Sequence, residues 1–204
     1  MDSIDNKIFN SLKKCGRGTI AFPSDFTTLA EHKTVLKSLE RLTDSGAIMR
    51  IARGVYCYPK QDKLLGIEAL HPSYEEIAES IAKRDKARIA PAGAYAMNVL
   101  GVSTQVPMNV VFLTDGTPRK INLLNGHTIT FNKAVPKNFA FQSKFAQLLT
   151  LALRAIGKDN ITPEQKETIA KRLSKVPEQS IAGDYKLMPA WIRTLIKQIY
   201  DQLL

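Results

Sequence analysis

Residues 32–46, HKTVLKSLERLTDSG, constrain the fold more than any other part of the chain. Val35, Leu36, Leu39 and Leu42 recur at the three- and four-residue intervals of one helical face, and Gly46 ends the run. Lys33, Lys37 and Arg41 are spaced by four, so a helix stacks them in a line on the opposite side, about 6 Å apart. Such a helix needs a scaffold against its apolar face and turns a cationic one outward.

The flanking sequence supplies the scaffold. Ile4, Ile8 and Leu12 predict a first helix over residues 3–14, stopped by Gly16. Thr19 to Phe22 is a short apolar strand ended by Pro23, and Ser24 is placed to cap a short second helix over DFTTLA. After the third helix, AIMRIARGVYCY (47–58) alternates around Arg53-Gly54 as a hairpin does. The order helix, strand, helix, helix, hairpin predicts a winged helix-turn-helix over residues 1–60. In that fold the third helix enters the major groove of double-stranded DNA. Lys33, Lys37 and Arg41 are then the candidates for phosphates and base edges, Thr34 and Ser38 for shorter polar contacts, and Arg50 and Arg53 for contacts from the wing. Glu40 and Asp44 stand beside the basic line and favour the alternative, a protein-interaction module that uses the winged helix as a scaffold.

Residues 61–72 are expected to link this domain to a second one, 73–204, of mixed α/β character with a helical C-terminus, an α+β chain as a whole. Ser73 and Glu76 have capping-box spacing for a helix to about Arg84. A small helix over GAYAMNVLG precedes the buried strand NVVFLTD, with Asp115-Gly116 as its turn. Lys120–Leu124 and Thr128–Phe131 flank Asn125-Gly126, the signal for a second hairpin with a type I′ turn. Helices follow from Ser143 to Ile156, from Pro163 to Ser174 and from Ala190 to Leu204, the last with Ile192, Leu195, Ile196, Ile199, Tyr200 and Leu203 in one stripe that is core or faces a twin or partner.

The net charge of +10, from 29 Lys and Arg against 19 Asp and Glu, favours polyanionic partners. Residues 61–204 hold 19 basic and 13 acidic residues, a net of +6. Arg119, Lys120, Lys133 and Lys137 in the second hairpin region are therefore candidates to extend a DNA face or to meet an acidic partner, against a plain solvated surface. Cys15 and Cys57 stand far apart, with no CxxC, and His32, His71 and His127 are scattered, so no metal site is expected. Cys57 reads as a core-facing wing residue rather than a nucleophile. No phosphate-binding, nucleophile-elbow or metalloprotease motif occurs, so neither an enzyme nor a cofactor is expected. The polar N-terminus and the lack of eighteen consecutive apolar residues predict a cytoplasmic protein outside membranes.

The runs DFTTLA, VLKSLERLTDSGAIMRIARGVYCYPK, PSYEEIAESIAKR and LGVSTQVPMNVVFLTDGTPRKI resemble the AbiEi-type antitoxins of abortive-infection toxin–antitoxin systems. The resemblance covers about residues 4–156 and is strongest at ERLTDSGAIMRIARGVY and STQVP…LTDG. It implies a promoter-binding winged helix that represses its own operon, with Lys33, Lys37, Arg41, Arg50 and Arg53 as operator contacts. It also implies a second domain that opposes a co-encoded nucleotidyltransferase-like toxin, and leaves a homo-oligomer open. Where this chain has His32, such proteins often carry a small hydroxyl residue that caps the helix.

Overall fold

The computed structural model describes residues 3–62 and 66–203 and has an α+β architecture. Two compact units form: one from the residues up to Ile81 together with Ile121–Thr128, the other from Ala82–Lys120 together with the chain from Ile129 on.

The first unit opens with α1 (Ile4–Cys15), whose cap Ser3 accepts a hydrogen bond from the Asn6 amide at 3.3 Å and whose Ile8 and Leu12 are buried. Strand β1 (Ile20–Ala21) leads into a single 3₁₀ turn, Pro23–Phe26, where the sequence predicts a short helix over 25–30. Asp25, not Ser24, secures this turn: its carboxylate accepts the Phe22 amide at 2.8 Å, while Pro23 presets the entry and Phe26 is buried. Helix α2 (His32–Asp44) starts at Glu31 without any side-chain cap. It stops where the amides of Ala47 and Ile48 turn back to the Leu42 carbonyl at 3.0 and 3.2 Å. Strands β2 (Met49–Ala52) and β3 (Val55–Cys57) follow, and the antiparallel order β1-β3-β2 pairs Ile20 with Cys57 and Arg50 with Tyr56. Ile8, Leu12, Phe26, Val35, Leu39, Leu42, Ile48 and Tyr56 make one apolar core under this sheet and its helices.

The expected linker is not plain coil. Strands β4 (Lys60–Asp62) and β5 (Ile67–Leu70) pair antiparallel within it, while its residues 63–65 lie outside the described residues. Helix α3 (Tyr74–Arg84) then begins with the Ser73–Glu76 capping box: the Glu76 amide donates to Ser73 Oγ at 3.1 Å, and the Ser73 amide donates to Glu76 Oε2 at 2.7 Å.

In the second unit, β6 (Ile89–Ala92) pairs antiparallel with β7 (Asn109–Thr114), in a sheet of order β6-β7-β9-β8 with β8 (Arg119–Asn122) and β9 (Thr128–Lys133). Pro91 is tolerated in β6 because that strand is an edge. Helix α4 (Gly93–Leu100) packs with α5 (Lys144–Ile156), α6 (Pro163–Leu173) and α8 (Ala190–Leu203) around a core that includes Leu100, Leu149, Leu153, Ile169, Leu173, Ile192 and Ile196. A one-turn helix, α7 (Gln179–Ala182), precedes Asp184, whose buried carboxylate accepts the amides of Gln142 and Ser143, both at 2.9 Å. The last apolar stripe is core at Ile192, Ile196 and Ile199, whereas Leu203 is 46% exposed.

The connection between β8 and β9 is a three-residue loop rather than a type I′ turn. The Gly126 amide bonds the Leu123 carbonyl at 3.2 Å and the Leu123 amide bonds the His127 carbonyl at 2.9 Å. Of the two turn residues only Gly126, at φ +84°, enters the left-handed region, as a turn closed by a glycine bulge requires.

Candidate nucleic-acid interface

Helix α2 separates anchoring from exposure. Val35 and Leu39 are fully buried and Leu42 nearly so, while Lys33, Thr34, Lys37, Glu40, Arg41 and Asp44 all face solvent. Two expected positions differ. Leu36 is not inward but 38% exposed, because it lies about 100° around the helix from Val35. Ser38 is not a flank contact; it is completely buried, its Oγ accepting from Arg41 Nη2 at 3.2 Å.

Arg41 lies on the exposed side but is engaged within the fold. Its Nε donates to Asp5 Oδ2 and its Nη2 to Asp5 Oδ1, both at 2.7 Å, tying the last turn of α2 to the first turn of α1. The two hydrogen bonds from the guanidinium hold the Asp5 carboxyl well below the usual carboxylate range, at about 2.

Arg50, on β2 opposite Tyr56, points out while its neighbours Ile51 and Ala52 are buried, and Arg53 is exposed in the turn to β3. Cys57 on β3 is buried, and burial pushes its thiol up to about 11. Three other cations of this unit are used locally, whereas Lys7 and Lys14 of α1 are exposed: Arg17 lies 4.8 Å from the Tyr58 ring and donates to the Pro59 carbonyl, Lys13 lies 4.4 Å from the Phe9 ring, and Lys60 pairs with Glu76 at 2.6 Å. Of the seven site residues read from the sequence, Lys33, Lys37, Arg50 and Arg53 have no such partner among the described residues, and Thr34 is exposed beside them.

The tip of the β8–β9 hairpin is a participant that the sequence pattern does not reveal. Leu123 bridges Ala52, and the Leu124 amide donates to the Ile51 carbonyl at 3.0 Å, so the tip covers the outer edge of β2 next to the Arg53 turn. Asn125 and a 68% exposed Leu124 come with it. Strand order within one hairpin follows from local pattern, but which distant edge its tip will cover does not. His127 lies against Tyr74 with ring centroids 5.1 Å apart.

The cations expected around the second hairpin fall into two kinds. Arg119 pairs with Asp85, and Lys133 donates to the carbonyls of Asp115 and Gly116 at 2.5 and 3.2 Å, whereas Lys120 and Lys137 are exposed. Asp115 accepts from the amide and Nε of Arg88, both at 2.7 Å, so its carboxylate joins the ends of β6 and β7. No helix among the described residues is long and apolar enough to cross a membrane.

A protein-family model matches residues 7–181, the greater part of the chain. The chain belongs to the DUF6088 family. That family is described as one of unknown function, and its span includes every candidate position from Lys33 to Arg53, the hairpin tip and most of both units. It ends before α8, so the final helix of this DUF6088 chain lies outside the matched segment. No curated protein matches the chain.

Proposed function

We propose that the first unit is a winged helix-turn-helix that binds double-stranded DNA, with α2 as the recognition helix and the β2–β3 hairpin as its wing. One observation carries the reading: Lys33 and Lys37 stand one turn apart, exposed and unpaired among the described residues, on a helix whose opposite face is locked in the core. Arg50 and Arg53 add two further exposed cations on the adjoining hairpin. Four such groups neutralise backbone phosphates, and Thr34 adds a short donor and acceptor.

The resemblance to AbiEi-type antitoxins extends the proposal to a non-enzymatic repressor of its own promoter whose second unit opposes a co-encoded nucleotidyltransferase-like toxin. Binding of the upstream DNA measured against salt tests it. The logarithm of affinity should fall with that of salt with a slope of roughly 3 to 4, since each neutralised phosphate contributes about 0.9. Lys33→Ala with Lys37→Ala should lower that slope by about two. Upstream DNA bound no better than random DNA at low salt would sink the proposal. Footprint length and symmetry report whether one copy or two bind.

A second reading, a protein-interaction module, draws on Leu36, Glu40 and Asp44, an exposed apolar and acidic strip on the same helix. Tight association with the product of the neighbouring gene, together with no DNA binding, would favour it.

A further inference from the structure

Arg41 is in line with Lys33 and Lys37, yet its hydrogen-bonding edges are occupied. A guanidinium recognises a phosphate or a guanine through two parallel N–H groups, either Nε with Nη2 or Nη1 with Nη2. The Asp5 carboxylate fills the first edge at 2.7 Å on both bonds, and Ser38 Oγ takes the second hydrogen of Nη2 at 3.2 Å, which the other edge requires. Asp5 thus offers Arg41 the two anionic oxygens a phosphate would offer, and cancels its charge. The side chains are 56% and 25% exposed for Arg41 and Asp5, and ion pairs near solvent are weakly held, so the clamp can open. The carboxylate left behind would then lie beside the DNA backbone as a like charge. No such anion stands against Lys33, Lys37, Arg50 or Arg53 among the described residues.

We propose that Asp5 is a positioning residue that acts as an internal phosphate mimic, withholding Arg41 from DNA and setting the affinity of the α2 face below what its cations would give. This rests on the DNA-binding reading above. The experiment measures binding of the upstream DNA by the full chain across a salt series for wild type, Asp5→Asn, Arg41→Ala and the double variant. Asp5→Asn should tighten binding on the order of fivefold and steepen the salt dependence by about one phosphate's worth. Arg41→Ala, which leaves the Asp5 carboxylate unpaired, should bind no tighter than wild type, and adding Asp5→Asn to it should gain markedly less than Asp5→Asn gains alone. Asp5→Glu, which keeps a carboxylate within reach, should remain near wild type. Unchanged or weakened binding by Asp5→Asn overturns the proposal. Equal tightening with and without Arg41 also overturns it, because Asp5 would then act only through its charge on the surrounding field. If wild type and all variants bind upstream DNA no better than random DNA, the DNA-binding reading itself falls, an outcome distinct from the other two.

Discussion

Arg41 and Lys37 are one turn apart on α2 and share an exposed face, but they do different work because of what lies across from them. Lys37 has solvent, while Arg41 has a carboxylate on the next helix. The depressed Asp5 carboxyl gives this difference a pH signature. A carboxylate whose folded-state value lies near 2, below the ordinary value of about 3.9, contributes stability that is complete above the ordinary value and disappears as pH falls through the folded one. Wild type should therefore melt above Asp5→Asn at pH 6, and the gap between the two melting temperatures should close between about pH 4 and pH 2. A gap that stays constant to pH 2 would show that the pair does not act through ionised Asp5. Ser38 teaches the complementary point. Its spacing places it on the flank of the helix, where sequence cannot distinguish a surface hydroxyl from one enclosed by a neighbouring guanidinium.

Among elements, α2 is the one whose packing fixes the candidate face. Leu36 and Leu39 are equally apolar, and their spacing of three would let either lie at the border of a stripe, yet one is exposed and the other is fully buried. Leu39→Ala should cost about 2 to 5 kcal/mol in chemical denaturation, because it removes buried methyl groups and leaves a cavity, whereas Leu36→Ala should stay within about 0.5 kcal/mol. Similar losses at both positions would mean that α2 is rotated about its axis, and the cationic face with it. The boundaries of α2, α3 and α5 follow the sequence closely, since apolar periodicity, the Ser73–Glu76 box and a capping Ser143 are local signals. The short helix expected over 25–30 is one 3₁₀ turn because Asp25 bonds back to Phe22 and Phe26 is drawn into the core, a local hydrogen bond and a distant contact that together override helix propensity.

At the scale of the whole molecule, the chain does not divide at the expected linker. Residues 121–128 belong with the first unit although they are separated from it by the start of the second, so the candidate wing is completed by a tip about 70 residues downstream. A fragment of residues 1–72 should therefore melt below the first unit of the intact chain, since it lacks the strand-edge bridge from Leu123 and the bond from Leu124 to Ile51. Equal melting temperatures would show that the tip adds nothing to the unit it joins.

The sequence by itself determined the periodic elements and the cationic line on α2, because helix and hairpin patterns record which side of each element must be buried. It also marked the Ser73–Glu76 capping box, whose two hydrogen bonds span three residues. Tertiary structure alone decided that Arg41 is held by Asp5, that Ser38 is enclosed and that a second hairpin tip covers the β2 edge. Each of these depends on groups brought together from separate parts of the chain, and the pattern of one element carries no record of the charge or edge that will meet it.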